Sequence, residues 1–247
     1  MKMDRPYVVC HMLTSVDGKI DGDYMSIPEC SEALKEYENL RGYYECQATL
    51  YGTTTIKGGY CAGLVPELSE SRITDTREDY IGSFQGKNFI VSLDPKGELG
   101  WESPDIEKKN RPKAHVIEAL TAQVTDGYIA YLRKIGISYV FAGDTEIDCA
   151  LLLRKLKNLF GIEVLMIAGG GYTNWSFLQA GCIDELSLVI APIADGNTTS
   201  VSIFERAGFL PKCGPIALTL KAGEQMEDGS VWLRYVTKNG KKESEDE

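Results

Sequence analysis

The chain lacks an excess of positive charge, because 26 Lys and Arg residues stand against 36 Asp and Glu residues and leave a formal net charge of −10. Such a balance disfavours nucleic acids and anionic membrane surfaces, so we expect neither as a partner. No apolar run approaches the roughly 18 residues of a membrane-spanning helix, and the first residues carry no apolar core of a secretion signal. We therefore expect a cytoplasmic protein.

Residues that bind metals or form disulfides are also few or poorly spaced. Only two histidines are present, His11 and His115, and no two of the seven cysteines form a Cys-x-x-Cys pair. Structural zinc sites draw four ligands from clustered Cys, His and carboxylate side chains, so we predict no metal site. The odd cysteine count indicates reduced thiols.

Short apolar runs alternate with segments of helical periodicity, which is typical of an α/β fold. Strands are predicted at 7–13, 48–52, 88–92, 114–117, 138–142, 162–168 and 185–192. Helices are predicted from a capping box at 26–29 to about Cys46, and at 127–135, 148–160 and 174–180. Two alternating strands at 216–221 and 230–236 predict a closing antiparallel hairpin.

These elements predict a mixed, mostly parallel central sheet with helices on both faces. No Pro- or Ser-rich linker divides the chain, so we predict one domain over residues 1–239. The charged segment 240–247 has nothing to bury and is expected to be a disordered tail.

A glycine triplet follows the predicted strand at 162–168. Gly169, Gly170 and Gly171 lie between that apolar run and an amphipathic segment. Without a Cβ, such a turn lets the backbone approach a phosphate closely, and the N–H groups of a following helix bind the anion. The triplet predicts a nucleotide phosphate site, although close packing of a helix on a strand would explain glycines equally well.

Three further segments complete a recognisable pattern. The segment 14–20 reads Thr-Ser-Val-Asp-Gly-Lys-Ile, the segment 48–55 reads Ala-Thr-Leu-Tyr-Gly-Thr-Thr-Thr, and the run 177–192 ends in Val-Ile-Ala-Pro. In this order and spacing, together with the glycine triplet, they resemble the pyrimidine reductases of riboflavin biosynthesis. That family has the dihydrofolate-reductase-like fold.

The resemblance implies an oxidoreductase that uses NADPH. Hydride would pass to the ribose-derived C1 of 5-amino-6-(5-phosphoribosylamino)uracil and give the ribitylamino product, with the cofactor supplying the chemistry and the protein orienting it. The resemblance also implies a homodimer.

Several residues are candidates for binding the cofactor. We expect the turn and helix start after two strands to contact it through Gly52, Thr53, Thr54, Gly169, Gly170, Gly171, Tyr172 and Thr173. Ser92, the last residue of the third predicted strand, is a candidate hydroxyl donor to a 2′-phosphate.

The substrate candidates cluster after the first strand. Asp17 and His11 are the predicted catalytic residues, and either of them or a bound water is a candidate proton donor. Ser15, Lys19 and Arg41 are the predicted substrate-binding residues, the last two through the phosphate.

The chain departs from the family pattern at four places. Ala168 stands where the family usually has a Glu, and His11 where it has a Lys. Residues 57–60 replace the family's Asp-Asn-Pro or Asp-Asp-Pro, and Arg41 is offset by about two positions from the family's helix arginine. Alternative functions therefore stay open. One is a reductase of dihydrofolate or another small substrate, with Glu36 or Glu38 as the carboxylate facing the pteridine. The other is a nucleotide-binding module without catalysis.

Overall fold

This computed structural model describes residues 4–61, 68, 77–108 and 111–238. They form two structural units, each assembled from two separate stretches of chain. Unit 1 contains the described residues of Met1–Pro6 and Gln47–Glu163, and unit 2 those of Tyr7–Cys46 and Val164–Glu247. The single domain over 1–239 stays a prediction. The tail at 240–247 lies outside the described residues.

The elements follow the order that the apolar runs predict. The strands of the described chain are β1 (Tyr7–Thr14), β2 (Ala48–Gly52), β3 (Phe89–Leu93), β4 (Asp105–Ile106), β5 (Ala114–Leu120), β6 (Ser138–Phe141), β7 (Val164–Ile167), β8 (Glu185–Ile190), β9 (Thr219–Gln225) and β10 (Val231–Val236). The α-helices are α1 (Ser31–Arg41), α2 (Thr53–Gly59), α3 (Asp126–Ile135), α4 (Cys149–Phe160) and α5 (Gly171–Gln179). No described helix is both long and apolar enough to cross a bilayer.

In unit 1, strands β2, β3, β5 and β6 pair in parallel in that order, and the short β4 pairs antiparallel with the start of β5. Every residue of β3 and β5 is buried, as expected for parallel strands covered on both faces. The apolar faces of α3 and α4 pack inward through Tyr128, Leu132, Leu152 and Leu156. Polar side chains on β3 and β5 must therefore find partners inside the protein.

In unit 2, β1 lies between β7 and β8 and is parallel to both. β8 continues antiparallel into β10, and β10 pairs with β9 as the predicted hairpin. Together with unit 1, this confirms the predicted α/β fold with a mostly parallel sheet. Leu34, Tyr37 and Leu40 of α1 pack against the core around Leu13 and Trp232.

The start of α1 differs from the prediction. Ser26 ends a 3₁₀ turn instead of capping the helix, and no side chain caps the N-terminus of α1. Two short 3₁₀ turns at Asp23–Ser26 and Pro28–Cys30 precede the helix. The physical reason is Pro28, because the residue before a proline avoids the helical region and Ile27 is extended at φ −80°, ψ 148°. The helix also ends at Arg41, before a third 3₁₀ turn at Gly42–Tyr44.

Other boundaries move by a few residues. The predicted turn at Thr53–Thr55 is the first turn of α2, and α5 begins at Gly171 rather than Asn174. The hairpin strand β9 runs to Gln225, beyond its predicted end. The two-residue β4 was not predicted, because so short a strand leaves no alternation in the sequence.

Candidate active site

The loop that follows β1 is closed by its own side chains. In unit 2, the Ser15 hydroxyl donates to Asp17 Oδ1 at 2.7 Å, and the Lys19 N–H donates to Ser15 Oγ at 3.0 Å. The backbone N–H groups of Asp195 and Gly196 donate to the two oxygens of the same Asp17 carboxylate, at 2.9 and 3.0 Å. Asp17 therefore ties the β1 loop to the loop that follows β8.

These donors also fix the charge of Asp17. The hydrogen bonds from the Ser15 hydroxyl and from the Asp195 and Gly196 N–H groups hold the pKa of the carboxyl well below its usual range. Asp17 is consequently ionised at neutral pH and has no proton to give. The structure gives no support to its predicted use as a proton donor, while it does place Ser15 and Asp17 in one turn.

The two predicted phosphate ligands both have partners within unit 2. Lys19 Nζ donates to the Ser200 carbonyl oxygen at 3.0 Å. The guanidinium of Arg41 lies over the Tyr37 ring and 3.8 Å from Glu38, and its side chain is 12% exposed. Glu36, on the same helix, is partly buried. Phosphate binding by Lys19 and Arg41 stays a prediction.

His11 lies inside unit 2 with no exposed surface. Its Nε2 is 2.9 Å from the Tyr37 carbonyl oxygen, which accepts only, so Nε2 carries the proton. Its Nδ1, 2.9 Å from Ser187 Oγ, then accepts from that hydroxyl, which in turn accepts from Trp232 Nε1 at 2.8 Å. A single relay of hydrogen bonds thus runs from Trp232 through Ser187 and His11 to Tyr37.

This relay requires the His11 imidazole to be neutral, because Nδ1 must accept a hydrogen bond. Burial lowers the pKa of His11 to about 4, and the nearby Arg41 charge acts in the same direction. His11 also stacks on the Tyr37 ring, with ring centroids 4.5 Å apart. The structure therefore gives no support to His11 as a catalytic acid and places it as a satisfied core histidine.

The glycine triplet forms the predicted turn at the start of α5. Gly169 has φ +109°, which favours glycine, and Gly170 is extended just before the helix. A Cβ on Gly171 would lie 2.4 Å from the Ser202 carbonyl oxygen, whereas a Cβ on Gly170 would meet no atom within 4 Å. The segment at Ser202 therefore covers one side of the turn and leaves the Gly170 side open.

The first turn of α5 keeps its donors available to that open side. No side chain caps the helix N-terminus, so its first N–H groups have the partial positive charge that binds anions. Tyr172 is 58% exposed, and Thr173 is partly exposed. Ala168, directly before the turn, is 9% exposed and brings no functional group.

Within unit 1, the turn between β2 and α2 brings together three predicted residues. Gly52 is extended and precedes the helix without a capping side chain. Thr53 Oγ1 donates to the Leu93 carbonyl oxygen at 2.6 Å, which fastens α2 to the end of β3. Thr54 is exposed at the helix start.

Ser92 is less accessible than its predicted role requires. It is inside β3 with no exposed surface, directly opposite Glu118 of β5. A phosphate cannot reach a hydroxyl that is enclosed in the sheet. The prediction of a 2′-phosphate contact is therefore not supported by its position.

Sequence reasoning overlooked the buried acids of unit 1. Asp94 and Glu118 are 1% and 0% exposed. The available signal was a lone Glu within the apolar run Ala114–Leu120, because a charged residue in a strand buried on both faces needs a dedicated partner.

Comparisons with known proteins place these features in a family. The sequence profile described as the RibD C-terminal domain matches residues 6–232. The 2,5-diamino-6-ribosylamino-4(3H)-pyrimidinone 5′-phosphate reductase of Methanothermobacter thermautotrophicus is 28% identical over 239 residues, which cover 95% of this chain and 99% of that protein.

Solved structures share the fold. A pyrimidine reductase-like protein from Corynebacterium diphtheriae superposes with a TM-score of 0.66 at 16% identity, over 94% of this chain and 92% of that one. Acinetobacter baumannii RibD superposes with a TM-score of 0.64 at 20% identity, over 95% of this chain, which spans 58% of that one. The dihydrofolate-reductase-like fold is thereby confirmed.

Replacing Gly171 by Ala is expected to lower the free energy of unfolding by about 1–3 kcal/mol, the usual cost of overpacking, because the methyl group would crowd the Ser202 carbonyl oxygen. The matched control is Gly170→Ala, which should unfold at or slightly above the wild-type midpoint, since Ala restricts the unfolded chain. Urea denaturation followed by tryptophan fluorescence measures both. Equal stability of the two variants would contradict the close approach at Gly171.

Protonation of His11 is expected to destabilise the protein in acid. The unfolded histidine, with its pKa near 6.5, takes up the proton before the buried one at about 4. Stability therefore falls as the pH drops from 6.5 to 4, by up to about 3 kcal/mol at 1.4 kcal/mol per pKa unit. Denaturation across this range should show a smaller decrease for His11→Gln, and an unchanged pH dependence in that variant would refute the assignment.

Proposed function

This chain belongs to the RibD C-terminal domain family, and from that premise we propose that it is an NADPH-dependent reductase of a ribosylamino-pyrimidine 5′-phosphate. The observation that carries the proposal is the open glycine turn at the start of α5, joined to a family match over nearly the whole chain. Relatives are named as reductases of the 2,5-diamino-6-ribosylamino-pyrimidinone phosphate. The family is one of oxidoreductases, for which a nicotinamide cofactor is the natural reductant.

The residues of the glycine turn fit a nicotinamide dinucleotide. Gly170 presents an open surface where a Cβ would meet nothing, and the uncapped N-terminus of α5 offers N–H groups to a pyrophosphate. Cofactor binding by Gly52, Thr53 and Thr54 at the start of α2 in unit 1 stays a separate prediction. When bound, the cofactor would supply the hydride, and the glycine turn would hold its pyrophosphate.

The substrate that we propose is a pyrimidine with the ribosylamino 5′-phosphate group that two candidate compounds share. The aminouracil inferred from the sequence and the diaminopyrimidinone in the relatives' names differ at C2, which bears an oxo group in one and an amino group in the other. Both carry the ribosylamino 5′-phosphate where reduction takes place. Ala168 contributes only a methyl group beside the turn, so the ring is held by other residues of this chain.

The proton that accompanies reduction is proposed to come from solvent. Asp17 is held ionised by three donors, and burial keeps His11 neutral at pH 7. Of the three donors that the sequence left open, water is the one that the electrostatics favour. Asp17 and Ser15 then act by holding the β1 loop in place.

We also propose that the protein forms a homodimer in the cytoplasm. Among the described strands of unit 2, β9 lies at the edge of the sheet, and six of its seven residues are exposed. An edge strand of this kind pairs readily with another strand. Leu220, 57% exposed on this strand, would be covered by such pairing.

The expected activity is oxidation of NADPH that depends on the ribosylamino-pyrimidine 5′-phosphate. The diaminopyrimidinone, the aminouracil and dihydrofolate are each supplied in turn, and loss of the reduced nicotinamide absorbance is followed. Turnover of either ribosylamino compound supports the proposal, and the ratio of kcat/KM values identifies the preferred ring. Turnover of dihydrofolate alone, or cofactor binding without turnover of any substrate, would replace it with one of the two alternatives.

Gly170→Val is expected to weaken NADPH binding by at least about tenfold, equivalent to about 1.4 kcal/mol, because the side chain would fill the space proposed for the pyrophosphate. Titration calorimetry measures the Kd, and the urea midpoint of the same variant shows that the fold is intact. Unchanged affinity in a folded Gly170→Val protein would remove the glycine turn from the cofactor site.

A further inference from the structure

Two buried oxygens face each other across neighbouring strands of unit 1. Ser92 of β3 and Glu118 of β5 are register partners in a parallel pair, and both are fully buried. Ser92 lies close enough for its hydroxyl to lower the pKa of the Glu118 carboxyl, but burial outweighs this effect and the pKa is raised overall. Yet within the described chain neither Ser92 Oγ nor Glu118 Oε2 has a partner in full hydrogen-bond geometry. Buried polar atoms without a partner are rare and require an explanation.

The other Glu118 oxygen is satisfied by a single donor. Trp101 Nε1 donates to Oε1 at 2.5 Å. None of the ion pairs between described residues includes Glu118. An ionised carboxylate enclosed in a sheet with one donor and no cation would be very costly.

The neighbouring acid, Asp94, accepts hydrogen bonds from several donors. Asp94 accepts from the N–H groups of Glu98 and Leu99 and from the Tyr128 hydroxyl, at 2.8 to 2.9 Å. Several donors stabilise a carboxylate in its charged form. Because Asp94 has these donors and Glu118 has one, the first proton of this pair of acids belongs on Glu118.

We propose that Glu118 is a neutral carboxylic acid whose Oε2–H donates to Ser92 Oγ, and that it is a positioning residue for the loop Asp94–Leu99. A carboxylic acid can donate from Oε2, and the serine oxygen that faces it can accept, so one proton gives both unpartnered atoms a partner. A Ser92 hydroxyl that donated to a carboxylate would pair the same two atoms but would leave a charge enclosed in the sheet. Burial and the adjacent Asp94 charge raise the pKa of Glu118 well above its usual range, which agrees with this arrangement.

The loop is the link to the cofactor, and this part rests on the proposed function. It begins directly after Leu93, whose carbonyl oxygen accepts from the candidate residue Thr53. Pro95 within the loop accepts from the Thr121 hydroxyl at the end of β5. Ionisation of Glu118 would place a second negative charge beside Asp94, whose oxygens hold the loop. Loss of the neutral acid should therefore loosen the Thr53 end of unit 1.

The first experiment uses the ligand-free protein and Glu118→Gln, whose amide keeps a donor toward Ser92 and an acceptor toward Trp101 but cannot ionise. An unfolded glutamate has a pKa of about 4.3, so above that pH the wild type must take up a proton to fold. The stabilising effect of the neutral acid is complete below that value and is lost progressively as the pH rises toward the folded pKa.

Urea denaturation between pH 5 and 8 should therefore show that the free energy of unfolding of Glu118→Gln increases relative to that of the wild type as the pH rises. The ratio of their unfolding equilibrium constants should change by about tenfold per pH unit for one linked proton. The matched control is Glu98→Gln, an exposed acid in the same loop, which should run parallel to the wild type. Parallel curves for Glu118→Gln and wild type would overturn the proposal.

A second measurement follows the Glu118 carboxyl carbon by NMR in protein labelled with ¹³C-glutamate. The signal absent from Glu118→Gln should keep the shift of a protonated acid at pH 7, and Ser92→Ala should move its titration to lower pH. A signal with the shift of a carboxylate at pH 7, or one that Ser92→Ala leaves unchanged, would overturn the proposal in favour of a bridging ion or water.

The positioning role is tested by measuring the Kd for NADPH as a function of pH. The wild-type Kd should increase as Glu118 ionises, and the Kd of Glu118→Gln should stay level, with similar affinities for the two proteins at pH 6. A pH-dependent Kd in both proteins would remove the positioning role. Failure of the wild type to bind NADPH at any pH would instead refute the proposed function, while the measurements on ligand-free protein would still decide the state of Glu118.

Discussion

Exclusion of water from both faces of the parallel strands is the constraint on which the rest of this structure depends. Any polar side chain on β3, β5 or the middle of β1 has only other protein groups to bind. His11 satisfies this condition through two neutral partners. Glu118 satisfies it by keeping a proton. The interior therefore determines the ionisation of His11 and Glu118.

The same division separates residues that support the site from those available to a ligand. Asp17 is exposed yet bound by three donors, so it serves the geometry of its loop. The glycine turn leaves its Gly170 side open because Gly171 takes the close packing against Ser202. Two adjacent glycines thus have different tasks, one in packing and one in presenting the backbone. This distinction depends on a neighbour 31 residues further along the chain and is not visible in the triplet itself.

The order and class of the elements could be predicted from sequence, because apolar runs and helical periodicity are local signals. The start of α1 was misplaced because the extended residue before Pro28 outweighs a four-residue capping pattern. Gly52, Thr53 and the glycine triplet lie at strand ends as predicted. The roles of His11 and Ser92 could not be foreseen, since they depend on Ser187, Trp232 and Glu118, which only register and tertiary packing bring near. Family likeness identifies where such residues stand, whereas burial decides what they can do.

The relay from Trp232 to Tyr37 has a consequence for how the protein is made. Its four members belong to β10, β8, β1 and α1, so within the described chain it joins the last strand to the first strand and the first α-helix. While the ribosome is producing residues 47–163, His11 has already been synthesised, but Ser187 and Trp232 have not. Domains usually fold in the order in which they emerge. The N-terminal segment of unit 2, however, cannot complete its packing until β8 and β10 have been synthesised. The segment made in between can form unit 1 first, and the interior of unit 2 closes last.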